Sequence, residues 1–153
     1  MIVRCFEPSD AAALWSVFFH TIRQVNVRDY SQAQVEAWAA EGVKPEYWAE
    51  KMRSMNPYVA CVDQRIVGYA DLQPDGLIDH FFCHHAFQGC GVGRALMERI
   101  LLEAQGRSLE RCYSHVSITA RPFFAHFGFA LVREQRVDIG EQKLTNFLME
   151  KRF

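Results

Sequence analysis

"CHHAFQGCGVGRALM", residues 83–97, decides how this chain is read. Gly89, Gly91 and Gly93 alternate with other residues. Directly behind them an apolar stripe runs at helical spacing through Val92, Leu96, Met97, Ile100, Leu101 and Ala104, with a stop signal at Gly106. Glycine is a poor helix former. A cluster of it at a helix start marks either a bare turn or a place where something approaches the backbone closely. The strand-like stretch "LIDHFFC" (77–83) leads into it from a Pro74-Asp75-Gly76 turn. Strand, glycine-rich turn, then helix is an anion-binding arrangement. The first helical N–H groups lack intrahelical partners and carry the positive end of the helix dipole.

Outward from this stretch the elements follow from period and punctuation. "MIVRCF" reads as a strand. A helix follows with Ser9 as N-cap and Leu14, Val17, Phe18, Ile22 and Val25 on one face. A second helix opens at Ser31, with Gln34 as capping-box partner, and stops near Gly42; "KPEYWAEKM" makes a third. "YVACVD" and "RIVGYADL" are strands around a turn at Asp63-Gln64. After the long helix come strand "RCYSHVSI", helix "ARPFFAHF" closed by Gly128, and a hairpin of "FALVREQRVDI" and "KLTNFLMEKRF" around Gly140. The order predicts an α/β fold, a mixed sheet with helices on both faces, in one domain spanning 1–153.

Composition narrows the function. Half of the 153 residues are hydrophobic, which suits a globular core. A net charge of −1 offers no support for nucleic-acid or membrane-surface binding, and no apolar run approaches a membrane span. The first ten residues lack a signal-peptide layout, and five scattered cysteines without CxxC spacing suit a reducing cytoplasm. A location in the cytoplasm is therefore expected, as a monomer or homodimer.

Three phosphate-binding loops can be compared. A Walker loop needs Gly-Lys-Ser/Thr, but Gly93 is followed by Arg94 and Ala95. A dinucleotide fingerprint needs GxGxxG and a later acidic residue; the spacing here is GxGxG, with Tyr113 near the acidic position. The third is Gln/Arg-x-x-Gly-x-Gly, met by Gln88, Gly91 and Gly93. With "SITARPFFAHFGF" (117–129) as a second strand–helix segment ending in Gly-Phe and the terminal hairpin ending in "FLMEKRF", the chain resembles the Gcn5-related N-acetyltransferase (GNAT) family along essentially its whole length. "DYSQAQVEAWA" and "TNFLM" are similar to one bacterial branch, the YafP-like acetyltransferases.

The resemblance implies a GNAT-like acyl-CoA N-acyltransferase fold with a mostly antiparallel central sheet. It also implies transfer of acetyl from acetyl-CoA (coenzyme A) to a primary amine, on a small molecule or a protein, by direct attack in a ternary complex. The cofactor loop is then Gln88, Gly89, Cys90, Gly91, Val92, Gly93 and Arg94. Phe82 and Cys83 lie on the strand before it, and Ser117 and Phe124 on the second segment. Ser117 serves equally as a helix cap.

The chemistry needs a neutral amine, because an alkylammonium with a pKa of about 10.4 is mostly charged at neutral pH. It also needs a base and a donor for the developing oxyanion. Asp79 is the expected base: strand alternation groups it with Leu77, Phe81 and Cys83, where apolar neighbours would raise its pKa. Relatives place Glu or His there. The position where the family usually has an acidic Tyr is Phe124, which has no proton to give. Tyr30 substitutes as acid if the second helix covers the site, and Tyr30, Trp38 and Asn146 are the expected acceptor-pocket residues. The missing acid keeps open a second reading, a non-catalytic acyl-CoA-binding or sensing module. His80, Cys83, His84 and His85 alternate between strand faces, so no metal site is expected.

Overall fold

Period-two and period-3.6 apolar patterns produce seven strands and five α-helices. The computed structural model describes residues 1–153. The elements run β1 (Ile2–Cys5), α1 (Ala11–Gln24), α2 (Gln32–Trp38), α3 (Pro45–Met55), β2 (Tyr58–Val62), β3 (Arg65–Ala70) and β4 (Phe81–Cys83). Then follow α4 (Val92–Gly106), β5 (Arg111–Ser117), α5 (Arg121–His126), β6 (Ala130–Ile139) and β7 (Gln142–Arg152). The fold is α/β, and every strand pair within its sheets is antiparallel. No helix is long and apolar enough to cross a membrane.

The sheet expected from the sequence is present but split. One part has the order β1-β2-β3-β4 and the other β5-β7-β6. They touch through one isolated parallel bridge, Leu77 with Tyr113. Alternation along β2 supplies two cores. Tyr58 and Ala60 face the α4 and α5 side, whereas Val59 and Cys61 face α1, α2 and α3. On α4 the expected stripe is buried at Val92, Leu96, Met97, Ile100 and Ala104. Each of the larger side chains among these contributes roughly 1.5–3 kcal/mol by leaving water. On α1 the stripe Leu14, Val17, Phe18 and Ile22 does the same.

Two local expectations are corrected. Helix α1 begins after a 3-10 turn at Pro8–Asp10, and Asp10, not Ser9, sits at its N-cap position. The Asp10 carboxylate accepts the Glu7 N–H at 2.8 Å and holds Arg4 through two bonds, an ionic grip a serine hydroxyl cannot match. The strand expected over 77–83 is regular only at Phe81–Cys83. All five cysteines are free thiols.

Candidate active site

The site is created where β4 and β5 fail to pair. At the bridge the Ile78 N–H donates to Tyr113 O at 2.8 Å, and the Tyr113 N–H donates to Gly76 O at 3.0 Å. Beyond it the strands separate, and Asp71 shows why. Its fully buried carboxylate accepts the N–H groups of both Asp79 (2.8 Å) and His80 (2.7 Å) through Oδ1. Two successive amides bound to one oxygen cannot follow strand alternation. The chain kinks, and Asp79 is exposed at the surface instead of lying with Phe81 and Cys83 among apolar neighbours. Pairing with β3 is kept by Asp71 N–H to His80 O (3.1 Å) and His84 N–H to Val67 O (2.8 Å). Antiparallel alternation then turns the amides of Phe81 and Cys83 away from β3, into the gap.

A cleft of about 350 Å³ fills that gap, and α4 begins at its edge. Gly91 is the N-cap of α4, with φ of 85°, a left-handed conformation that side chains rarely adopt. A Cβ there would meet nothing nearer than the Met1 side chain at 4.0 Å, so the loop faces open space. The first helical bond is Ala95 N–H to Gly91 O at 3.0 Å, which leaves the earlier amides of the turn free for an anion. Arg94 is exposed beside them, within 3.7 Å of Glu98 and 3.4 Å of His126 Nε2.

Two loop residues have a structural role besides their place on the cleft, and a third lies off it. Gln88 donates Nε2 to Cys83 O at 2.8 Å and so braces the turn. A Cβ on Gly93 would come within 2.9 Å of the Phe123 ring, so that glycine lets α4 pack against α5. Cys90 is exposed, bonds back to Gln88 O, and does not line the cleft. Gln88, Gly89, Val92 and Gly93 do line it.

The far end of the cleft is apolar, with Phe81, Phe82, Phe123 and Phe124. Phe124 is buried, edge-on to Phe81 and Phe129. Burial pushes the Cys83 thiol up to about 12, so it is protonated at neutral pH. The Ser117 hydroxyl accepts the Ala120 N–H at 3.0 Å, the capping role, while the residue also lines the cleft.

A second cavity of about 200 Å³ adjoins the first, and Phe82 and Ser117 line both. Tyr30, Trp38, Asp79, His80 and Asn146 face it. The structure thus brings the expected base and the expected pocket residues into one cavity. Asn146 accepts from Gln135 at 3.0 Å, and Gln135 also contacts His115 at 2.9 Å. Trp38 is half-buried, edge-on to Tyr30 at 5.6 Å.

The expectation that Tyr30 supplies an acid is not met. Its hydroxyl donates to Thr145 O at 2.6 Å and accepts the Ile118 N–H at 2.9 Å. It replaces the ladder bond that would follow the Ser117–Asn146 pair, and burial raises its pKa further. Tyr30→Phe should cost about 1–3 kcal/mol, the range for stranded buried polar groups, measured by urea melts. A variant of unchanged stability that loses only kcat would return the acid role to this hydroxyl.

Sequence reasoning passed over Thr21, Asp71 and the position of His80. Thr21 Oγ1 donates to Cys83 O at 2.9 Å. Its signal was a polar residue on the buried stripe of α1. Asp71, a carboxylate ending an apolar strand, was a similar signal. His80 is buried and stacked on Phe18. Its Nδ1 lies 2.9 Å from the buried Tyr69 hydroxyl, which has no other acceptor and therefore donates. The imidazole then carries its proton on Nε2, on the cavity side. Burial pushes its pKa down to about 3, so the ring is neutral. His84 stacks on His85 with ring centres 4.4 Å apart, away from His80, and no three ligand-type side chains gather at one point.

This fold is shared with known proteins. The acetyltransferase (GNAT) domain family matches residues 26–152, most of the chain. The chain belongs to the GNAT acetyltransferase family. It is 29% identical over 147 residues to the uncharacterized N-acetyltransferase YafP of Escherichia coli, covering 96% of this chain and 93% of that protein. A crystal structure of a GCN5-related N-acetyltransferase from Rhodopseudomonas palustris superposes with a TM-score of 0.94 at 28% identity, over 99% of this chain and 95% of that one. The PaiA N-acetyltransferase of Thermoplasma acidophilum, solved with coenzyme A, shares the fold at a TM-score of 0.75 and 17% identity, over all of both chains. The enzyme is an acetyltransferase.

Proposed function

We propose that this GNAT enzyme moves acetyl from acetyl-CoA directly to a primary amine, with residues 1–153 acting as one catalytic unit. The observation that carries the reading is that two cavities meet at Phe82 and Ser117, beside strand amides left unpaired by the split. The free amides at the start of α4, with Arg94, would hold the pyrophosphate. The apolar end of the cleft, closed by Phe124, would take the acyl arm. The amide of Cys83 or Phe81 would donate to the thioester oxygen as it gains charge.

In the transfer the amine lone pair forms the C–N bond, and the carbonyl pair moves to oxygen. Collapse then breaks the C–S bond with its pair leaving on sulfur. The surplus amine proton goes to Asp79, directly or through water, and the sulfur takes a proton from solvent. A thiol leaving group with a pKa near about 8.5 tolerates the absence of a Tyr at 124. The protonated Cys83 thiol is no ready nucleophile, which favours a ternary complex over an acetyl-enzyme. Five free cysteines suit a reducing, cytoplasmic setting.

Thiol release from acetyl-CoA with a panel of amines tests the reading. Tight acetyl-CoA binding without release for any amine would instead favour a sensing module. For the loop, Gly91→Val is expected to weaken acetyl-CoA binding by about tenfold or more, roughly 1.4 kcal/mol. Gly42→Val is the control, since Gly42 shares the left-handed backbone (φ 81°) and an empty Cβ position but does not line the cleft. Calorimetry showing equal affinity in both folded variants would reject the loop assignment.

A further inference from the structure

The second cavity is specific in what it lacks. Asp79 is its only carboxylate, and no Lys or Arg lines it. Its other titratable groups are Tyr30, His80 and His115, and the buried His80 ring is held neutral. The apolar part of the wall is aromatic from Phe18, Trp38 and Phe82 and aliphatic from Val137, Ile139 and Leu144, and the remaining lining groups, Ser117, Thr145 and Asn146, are neutral.

The α2 side of the cavity is fixed in place. The turn before α2 is fastened to β7 by Tyr30 Oη to Thr145 O at 2.6 Å. Helix α2 itself is fastened by Gln34 Nε2 to Lys143 O at 2.8 Å. A protein segment would set its polar backbone against the aromatic and aliphatic walls, where its N–H and C=O groups lack partners. The size sets a further limit. A dry apolar cavity of about 150 Å³ holds a benzene, so the about 200 Å³ found here holds one ring with a short tail.

Building on the acetyl-transfer reading, we propose that the acceptor is a small arylalkyl primary amine without a carboxylate. Its ring lies among Trp38, Phe82 and the aliphatic wall, and its nitrogen lies between Asp79 and the cofactor cleft. An acceptor carrying a carboxylate would bring a second negative charge beside Asp79 into a cavity that no Lys or Arg lines, since Lys51 sits with Asp79 in a neighbouring open pocket and not in this one. A polyamine would leave its second ammonium in the apolar end.

The test compares kcat/KM by thiol release for 2-phenylethylamine, phenylalanine, spermidine and an alanine-ended peptide. 2-Phenylethylamine is expected to exceed each of the others by about 100-fold, the ratio for one unpaired charge or unmatched polar segment of about 2.7 kcal/mol. Phenylalanine differs from it only by the carboxylate, so equal rates for that pair would overturn the proposal. A faster reaction with spermidine or the peptide would do the same while leaving acetyl transfer intact. Acetyl-CoA binding with no turnover of any amine would overturn the transfer reading itself, and this inference with it. Trp38→Ala provides a second readout. The KM for 2-phenylethylamine should rise about tenfold with the KM for acetyl-CoA unchanged, and an unchanged amine KM would overturn the aromatic-wall assignment.

Discussion

Replacing Asp79 with Asn is expected to lower kcat by about 100-fold or more, the range for loss of a general base, with acetyl-CoA affinity unchanged. Asn keeps the size and some hydrogen bonding, and the side chain is exposed, so the fold should survive. The competing base is His80, which opens into the same cavity. Burial pushes its pKa down to about 3, and the Tyr69 hydroxyl fills its Nδ1, so it presents an N–H donor to the cavity. That geometry suits orienting an acceptor or a water and leaves proton uptake to the carboxylate. The pH–rate profile of the variant should lose its acidic limb if that limb reports Asp79. Wild-type turnover across pH would reject Asp79 and move the search to His80, starting with His80→Gln.

Asp71→Asn should stabilise the protein at neutral pH. Asp71 is fully buried with no cation beside it, and burial pushes its carboxyl up to about 6 from the ordinary 3.8. The folded state therefore holds this proton at pH values where the unfolded chain has already lost it. The group's contribution is fully present below about pH 4 and is lost as pH rises through about 6. By pH 7 the loss reaches about 3 kcal/mol at most. Asn cannot ionise, yet its Oδ1 can still accept the N–H groups of Asp79 and His80, with the Gln73 amide turned to accept from the new NH₂. The stability difference between variant and parent, from urea melts, should be near zero at about pH 4 and should favour the variant increasingly toward pH 7. Taking the difference removes the opposite trend from Asp10, whose bond to Arg4 lowers its pKa. A variant less stable at pH 7 would mean that the ionised carboxylate is itself the stabilising form.

The glycine loop was legible because its signal is local. Spacing, a preceding strand and a following amphipathic helix are all written within about thirty residues. The exchange of roles inside it was not legible. Gln88 looks like a cofactor-loop residue by position, and it also reaches a strand carbonyl, Cys83 O, that Thr21 bonds from α1. Gly93 looks like part of the cradle and does line the cleft, but its missing Cβ also makes room for the Phe123 ring from a helix some thirty residues away. Tyr30 was legible as a pocket residue and misread as an acid, because the carbonyl that takes its proton lies on β7.

Residues 81–106 by themselves determine the strand end, the turn and the buried face of α4, since hydrophobic period and glycine placement act over neighbouring residues. Period also determines that β2 is covered on both faces. Only the tertiary structure decides that the sheet divides, because the division depends on one buried carboxylate, Asp71, taking two amides eight and nine residues further along. That long-range competition for hydrogen bonds breaks the alternation on which a strand reading rests. It leaves Asp79 exposed and His80 buried on the wall of the second cavity, and it leaves the gap in which the first cleft lies.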